Sequence, residues 1–111
     1  IIIFIINMNN YTKYRIPFPF IDIYFIVWKP FARSKIHNHS KNGCHMFILK
    51  GLLREEIYNK KLKLIDIYFR DTLDITYIND NIGYHKIVNG NKYTYSLHIY
   101  HPKNHITKYY D

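Results

Sequence analysis

His37 and His39 stand two residues apart in Ile36-His37-Asn38-His39-Ser40-Lys41-Asn42-Gly43-Cys44. On a β-strand that spacing places both imidazoles on one face, because side chains alternate sides with period two. Two neutral imidazoles on one face are the beginning of a transition-metal site. His85 follows the turn cluster Asn79-Asp80-Asn81-Ile82-Gly83-Tyr84. A glycine turn sets it at a strand start, where it can meet the His37/His39 pair. Ser96, His98 and Tyr100 alternate with Leu97 and Ile99. In a strand they form a row of hydroxyl, imidazole and phenol, and such a row inside a small barrel must be hydrogen-bonded or functional.

The elements that must hold these residues are short and β-prone. Ile21 to Trp28 is β-branched and aromatic and reads as a strand ended by Pro30. Further strands are expected over 43–50, 52–58, 62–69, 73–78, 84–88 and 92–101. Turns fall at Gly51, Asn59-Lys60-Lys61, Asp71, Asn79-Asp80-Asn81 and Asn89-Gly90. Ile1 to Ile6 reads as a strand or the end of a missing element, and Asn7 to Asn10 as a polar turn. Tyr11 to Arg15 is mixed aromatic and basic, and Pro17 and Pro19 make the next piece extended, at an edge or in a loop. No helix is expected: Glu55-Glu56 ahead of Lys60 would support a helical turn, but the flanks are β-prone. Many short strands between turns predict an all-β sandwich or jelly-roll barrel.

Length and charge bound the function. A chain of 111 residues with 12 Tyr and 7 Phe is expected to form one domain with a real core. Because the first residue is Ile, N-terminal elements are expected to be missing. The formal charge is +8, from 16 Lys+Arg against 8 Asp+Glu. No basic block exceeds Lys60-Lys61 and no nucleic-acid motif is present, so the charge is read as a solvated surface. One cysteine excludes an intrachain disulfide framework. The apolar start is far shorter than the about 20 residues that span a bilayer. His45, His101 and His105 are read as structural or exposed.

Taken together, His-x-His, Cys44 after a short polar loop, a strand ending in Gly51, Tyr77-Ile78-Asn79-Asp80-Asn81-Ile82-Gly83-Tyr84-His85 and Ser96-Leu97-His98-Ile99-Tyr100 resemble the cysteine dioxygenase family of the cupin fold. The resemblance runs from about residue 11 to 102. It implies a single cupin domain over 1–111, with 1–20 peripheral and 21–103 forming the barrel. It implies a non-haem Fe(II) held by His37, His39 and His85. Many cupins carry a Glu ligand where this chain has Cys44. In the eukaryotic-type enzymes, the Cys and Tyr matching Cys44 and Tyr100 are joined by a thioether, and Ser96 and His98 would hold the Tyr100 hydroxyl. The substrate carboxylate is implied to meet a cation from a Tyr-x-Arg element. Strict matching puts Lys13 there; Arg15 is preferred if the proline-containing loop shifts the register, because a guanidinium fork suits a carboxylate better.

The implied activity is oxidation of L-cysteine by O2 to cysteine sulfinate. The alternatives are a dioxygenase for another small thiol such as 3-mercaptopropionate, a metal-binding cupin without catalysis, and a basic barrel that binds nucleic acid. The expected partners are the thiol and O2, with no nucleic acid and no membrane. A cytoplasmic monomer is expected.

Overall fold

In the computed structural model, residues 4–8, 10–102 and 106–110 are described. Nine strands follow one another: β1 (Phe4–Met8), β2 (Tyr11–Ile16), β3 (Asp22–Trp28), β4 (Cys44–Lys50), β5 (Leu52–Tyr58), β6 (Leu64–Asp71), β7 (Ile75–Ile78), β8 (Tyr84–Asn89) and β9 (Thr94–Tyr100). They form a six-stranded sheet in the order β1-β2-β3-β9-β4-β7 and a three-stranded sheet in the order β6-β5-β8. Every pairing between strands is antiparallel. Among the described residues there is no helix, as the sequence led us to expect, and so none that could cross a membrane.

Alternation decides what lies between the sheets. On β4 Cys44, Met46 and Ile48 are buried, on β5 Leu53, Glu55 and Ile57, on β8 His85, Ile87 and Asn89. On β9 it is the polar row, Thr94, Ser96, His98 and Tyr100, that turns inward; Leu97 and Ile99 lie on the half-buried outer face. The apolar core of Ile26, Trp28, Met46, Ile48, Leu53 and Ile87 fills the centre of the barrel. The polar groups are gathered beside it.

Three sequence expectations shift. The mixed stretch after residue 10 is a full strand, β2, because it pairs on both sides with β1 and β3. The strands expected from residues 62 and 73 begin at Leu64 and Ile75 instead. Leu62 and Leu73 adopt positive φ (62° and 71°) in turns, where Leu62 N–H donates to the Asn59 carbonyl and Leu73 N–H to that of Ile48. Residues 1–3 of the expected first strand, Asn9 and His105 lie outside the described residues.

The third shift concerns the histidine pair. His37 and His39 do not sit on a strand but on the connection 29–43 between β3 and β4. That connection runs antiparallel along the free edge of β8 through isolated bridges, Arg33 with Val88 and His37 with His85, and His37 also bridges Tyr109. His37 N–H donates to the His85 carbonyl at 3.0 Å, and His85 N–H returns to the His37 carbonyl at 3.2 Å. An interrupted pairing of this kind is not a strand, yet its extended backbone preserves the two-residue period. His37 and His39 are buried while Asn38 between them is only half-buried.

Candidate metal centre

The paired backbones of residue 37 and residue 85 bring two imidazoles together edge to face. Their ring centroids are 4.5 Å apart and their Nε2 atoms 3.0 Å. His39 completes the group, with its ring 4.3 Å from that of His85 and 5.5 Å from that of His37. One nitrogen from each residue lies within 4.8 Å of the other two. All three side chains are buried.

The outer nitrogens settle which atoms face the centre. His37 Nδ1 donates to the Lys35 carbonyl at 2.8 Å, His85 Nδ1 to Glu55 Oε2 at 2.7 Å, and His39 Nδ1 to Asp80 Oδ1 at 3.3 Å. Each of these partners is an acceptor, so each ring, when neutral, carries its proton on Nδ1 and presents a bare lone pair on Nε2. His39 Nε2 is buried and has no hydrogen-bond partner among the described residues. The His37 and His85 lone pairs face each other across 3.0 Å with no proton assigned between them. A proton on His37 or His39 would be a poor remedy. Burial, then the neighbouring His85 and His39, hold His37 well below the ordinary imidazole range. Burial and His85 lower His39 to about 4, against a weaker pull from Asp80. A cation shared by three lone pairs removes the conflict. Two nitrogens each about 2.1 Å from one ion are roughly 3.0 Å apart at right angles and roughly 3.4 Å apart at the tetrahedral angle. The 3.0 Å spacing of the His37 and His85 Nε2 atoms lies within reach of one shared ion. The residues present fit a metal.

Glycine conformations aim two of the elements. Gly83, two residues before His85, has φ +154°, and a Cβ there would meet the Tyr58 carbonyl. Gly43, next to Cys44, has φ +90°, and a Cβ there would run into the Tyr77 ring and the Ile78 carbonyl. Neither approach is open to a residue with a side chain.

Cys44 and Tyr100 are directly opposite each other in the β4–β9 pairing. Both are buried, and the thiol and phenol are hydrogen-bonding partners. Burial pushes the Cys44 thiol up to about 12 and, with Cys44 adding to it, pushes the Tyr100 phenol well above its usual value. Both therefore hold their protons. Behind Tyr100, Trp28 Nε1 donates to Ser96 Oγ at 2.9 Å, and Ser96 Oγ lies 2.8 Å from His98 Nε2. The serine oxygen accepts from the indole and lies within hydrogen-bonding distance of His98 Nε2, so it ties the two rings together. Burial, with the Lys13 charge behind it, keeps His98 well below the ordinary imidazole range.

Lys13 and Arg15 share a face of β2 but take different environments. Lys13 lines a small cavity of about 20 Å³ together with Trp28, His37, His98, Tyr100 and Tyr109. Its Nζ stands over the Tyr24 ring at 4.5 Å, and burial lowers its ammonium from the ordinary lysine value against the opposing pull of Cys44 and Asp22. Arg15 is not among the cavity residues and pairs with the buried Asp22 carboxylate at 2.9 Å. The cavity has room for about one water, because residues 106–110 lie across its mouth. Tyr110 N–H donates to the Ile36 carbonyl, Asn38 N–H to the Lys108 carbonyl, and the Tyr109 ring is 5.9 Å from that of His37. A larger cavity of about 580 Å³ lies between the β4–β5 turn and the β8–β9 turn, lined by Lys50, Arg54, Phe69, Lys92 and Tyr93 among others, and holds none of the described histidines.

The sequence matches the family described as cysteine dioxygenase type I over residues 2–111. The chain belongs to the cysteine dioxygenase type I family. Cysteine dioxygenase type 1 of Rattus norvegicus is 29% identical over 90 residues, covering 73% of this chain and 44% of that protein. The enzyme of the same name from Homo sapiens gives the same figures. The chain thus spans less than half the length of the curated relatives it matches. In fold it is similar to oxalate decarboxylase from Lactobacillus farciminis, with a TM-score of 0.81 at 15% identity, over 96% of this chain and 33% of that one. A cupin-2 domain from Rhodospirillum rubrum gives 0.77 at 11% identity, over 98% and 76%. At such identities the likeness is one of fold, and the fold is the cupin barrel.

Within this cysteine dioxygenase family member, the structure brings His37, His39 and His85 together, places Cys44 against Tyr100, and links Ser96 to His98. His45 and His101 keep to the surface side, with rings 5.9 Å apart. Four residues around the site carry roles that sequence reasoning did not assign. Glu55 lay in a pair read only for helical potential, though its place between Leu53 and Ile57 in an alternating strand signals a buried carboxylate. Asp80 was read as a turn former. Trp28, expected at the end of a strand, is core on one side and a hydrogen-bond donor on the other. Tyr109 offered no signal, since its position depends on the path of the chain after β9.

Proposed function

We propose that this chain forms the catalytic barrel of an iron-dependent thiol dioxygenase that converts L-cysteine to cysteine sulfinate. The observation that carries the reading is the convergence of three buried imidazoles with their Nδ1 atoms engaged, in a member of this family. His37, His39 and His85 would hold Fe(II) through Nε2, and three neutral imidazoles leave it room for further ligands. Bound there, the ion would mediate electron transfer from the substrate thiolate to O2, so that R–SH and O2 give R–SO2H with both oxygen atoms on sulfur.

The chain's own groups do the rest. Lys13 is the better candidate for the substrate carboxylate, because it faces the cavity beside His37 and Tyr100, whereas the Arg15 charge is already met by Asp22. Tyr100, protonated and buried, donates a hydrogen bond to the substrate or to the reacting oxygen. His98 and Ser96 keep that phenol in place, and Trp28 fixes Ser96. The barrel wall and residues 106–110 exclude water once the substrate is in. Formation of a Cys44–Tyr100 thioether would replace the thiol S–H and one ring C–H by an S–C bond, with O2 taking up the two hydrogens and two electrons as H2O2, and lower the chain mass by two hydrogens.

Oxygen uptake by the iron-loaded protein, with chromatography of the products from L-cysteine, 3-mercaptopropionate and cysteamine, tests this. Cysteine sulfinate as the main product is expected. Brisk turnover of 3-mercaptopropionate with none of cysteine would reassign the substrate. No uptake with any thiol would leave a metal-binding cupin without catalysis.

A further inference from the structure

The three histidines differ in what stands behind them. His37 is backed by a neutral carbonyl, that of Lys35, at 2.8 Å. His39 is backed by Asp80 at 3.3 Å, and the Asp80 side chain is 37% exposed. His85 is backed at 2.7 Å by Glu55, whose side chain is 1% exposed. Of the two carboxylates, Glu55 is both the nearer and the drier, so its charge is screened least.

Glu55 occupies a position where strand alternation calls for an apolar residue, between Leu53 and Ile57 on the inward face of β5. A buried carboxylate there costs several kcal/mol unless it is fully paired, on the order of the penalty known for buried ions. It is fully paired. Oε1 receives Arg70 Nε at 3.0 Å and Nη2 at 2.9 Å, and Oε2 receives His85 Nδ1. One oxygen is held by β6 and the other is left for the imidazole. Arg70 alone would have satisfied the charge through both oxygens, the usual forked pairing of guanidinium with carboxylate. The divided arrangement instead fixes the tautomer and the angle of the His85 ring.

We propose that Glu55 is a positioning residue for the metal centre, acting through His85 to raise metal affinity and to favour the more oxidised state of the bound ion. The proposal rests on reading His37, His39 and His85 as metal ligands. In cupins that use a carboxylate as a fourth ligand, one negative charge sits on the metal itself. Here Glu55 supplies a negative charge one imidazole further out, where it strengthens His85 as an electron donor and leaves the fourth position open for substrate. Ligand histidines backed by a carboxylate bind metal more tightly, and loss of such a partner typically lowers affinity about 10- to 100-fold.

The test compares wild type with Glu55→Gln and Glu55→Asp. Glutamine keeps the size and an acceptor oxygen but not the charge; aspartate keeps the charge on a shorter arm. The measurements are Co(II) affinity by competition with a chelator, the Co(II) absorption spectrum, the Fe(III)/Fe(II) potential, and thermal unfolding of the metal-free protein. We expect Glu55→Gln to bind Co(II) about 10- to 100-fold more weakly, with altered absorption bands and a potential moved upward, and Glu55→Asp to lie between. Equal affinity, spectrum and potential in Glu55→Gln and wild type would overturn the proposal, even if the melting temperature falls, because Glu55 would then serve the fold alone. Should Glu55→Gln fail to fold, Glu55→Asp decides by the same comparison. A wild type that binds no Co(II) or Fe(II) would overturn the ligand reading itself, an outcome distinct from equality between variant and wild type.

Discussion

Replacing Lys13 by Met separates two cations that the sequence leaves in competition. Lys13 and Arg15 lie on one face of β2, yet only Lys13 borders the cavity beside His37, His98 and Tyr100. The Arg15 guanidinium is 2.9 Å from Asp22, with side-chain exposures of 27% and 4%. If Lys13 holds the substrate carboxylate, its loss removes a charge-assisted hydrogen bond worth about 1.5–3 kcal/mol. That is a rise in KM of roughly 10- to 100-fold at 1.4 kcal/mol per decade. Stability should hardly suffer, because burial already disfavours the Lys13 charge. Arg15→Met has the opposite profile. It leaves the buried Asp22 carboxylate without its guanidinium, so about 1–3 kcal/mol of stability is lost, and KM should change less than 3-fold, on the order of a contact away from substrate. The assay is initial O2 uptake against cysteine concentration, paired with urea unfolding of each variant. An Arg15→Met protein with the larger KM change, or a Lys13→Met protein with an unchanged KM, would refute the reasoning.

Three other perturbations follow from the same geometry. For metal-free protein, acid should favour unfolding: His39 lies at about 4 when folded and near 6.5 when unfolded, so between those values the unfolded chain binds the extra proton. Roughly 3 kcal/mol present above pH 6.5 is lost as pH falls to 4; urea midpoints measured across that range should fall, and a flat profile would contradict the burial of His39. Gly43→Ala should destabilise by about 2 kcal/mol, since a methyl group at φ +90° meets the Tyr77 ring and the Ile78 carbonyl; a melting temperature equal to wild type would count against that packing. Trp28→Phe removes the indole donor to Ser96, so kcat should fall about 10-fold, an order typical of one lost positioning hydrogen bond, with metal content unchanged; an unchanged kcat would show that Ser96 needs no anchor.

Much of the fold was legible because alternation is a local property. The apolar and polar rows of β9 and the run of β3 declare strands without reference to any partner, and the antiparallel barrel follows from their number and spacing. The histidine spacing was legible for a different reason. Any extended backbone puts residues 37 and 39 on one side, so the pair is correctly oriented although it sits on an interrupted connection. What stayed hidden depends on contacts between distant elements. Glu55 acquires its role only when β5 pairs with β8 and β6 brings in Arg70. The choice between Lys13 and Arg15 turns on Asp22, which sits across the loop that joins β2 to β3. Tyr109 reaches His37 only because the chain after β9 folds back over the site.

The central claim is that His37, His39 and His85 hold one ion through their Nε2 atoms. Iron analysis of the purified protein, beside His37→Ala, His39→Ala and His85→Ala prepared identically, tests it most directly. The account predicts that wild type retains iron after dialysis and that each variant loses it. Equal iron in wild type and in a folded His85→Ala protein would contradict it.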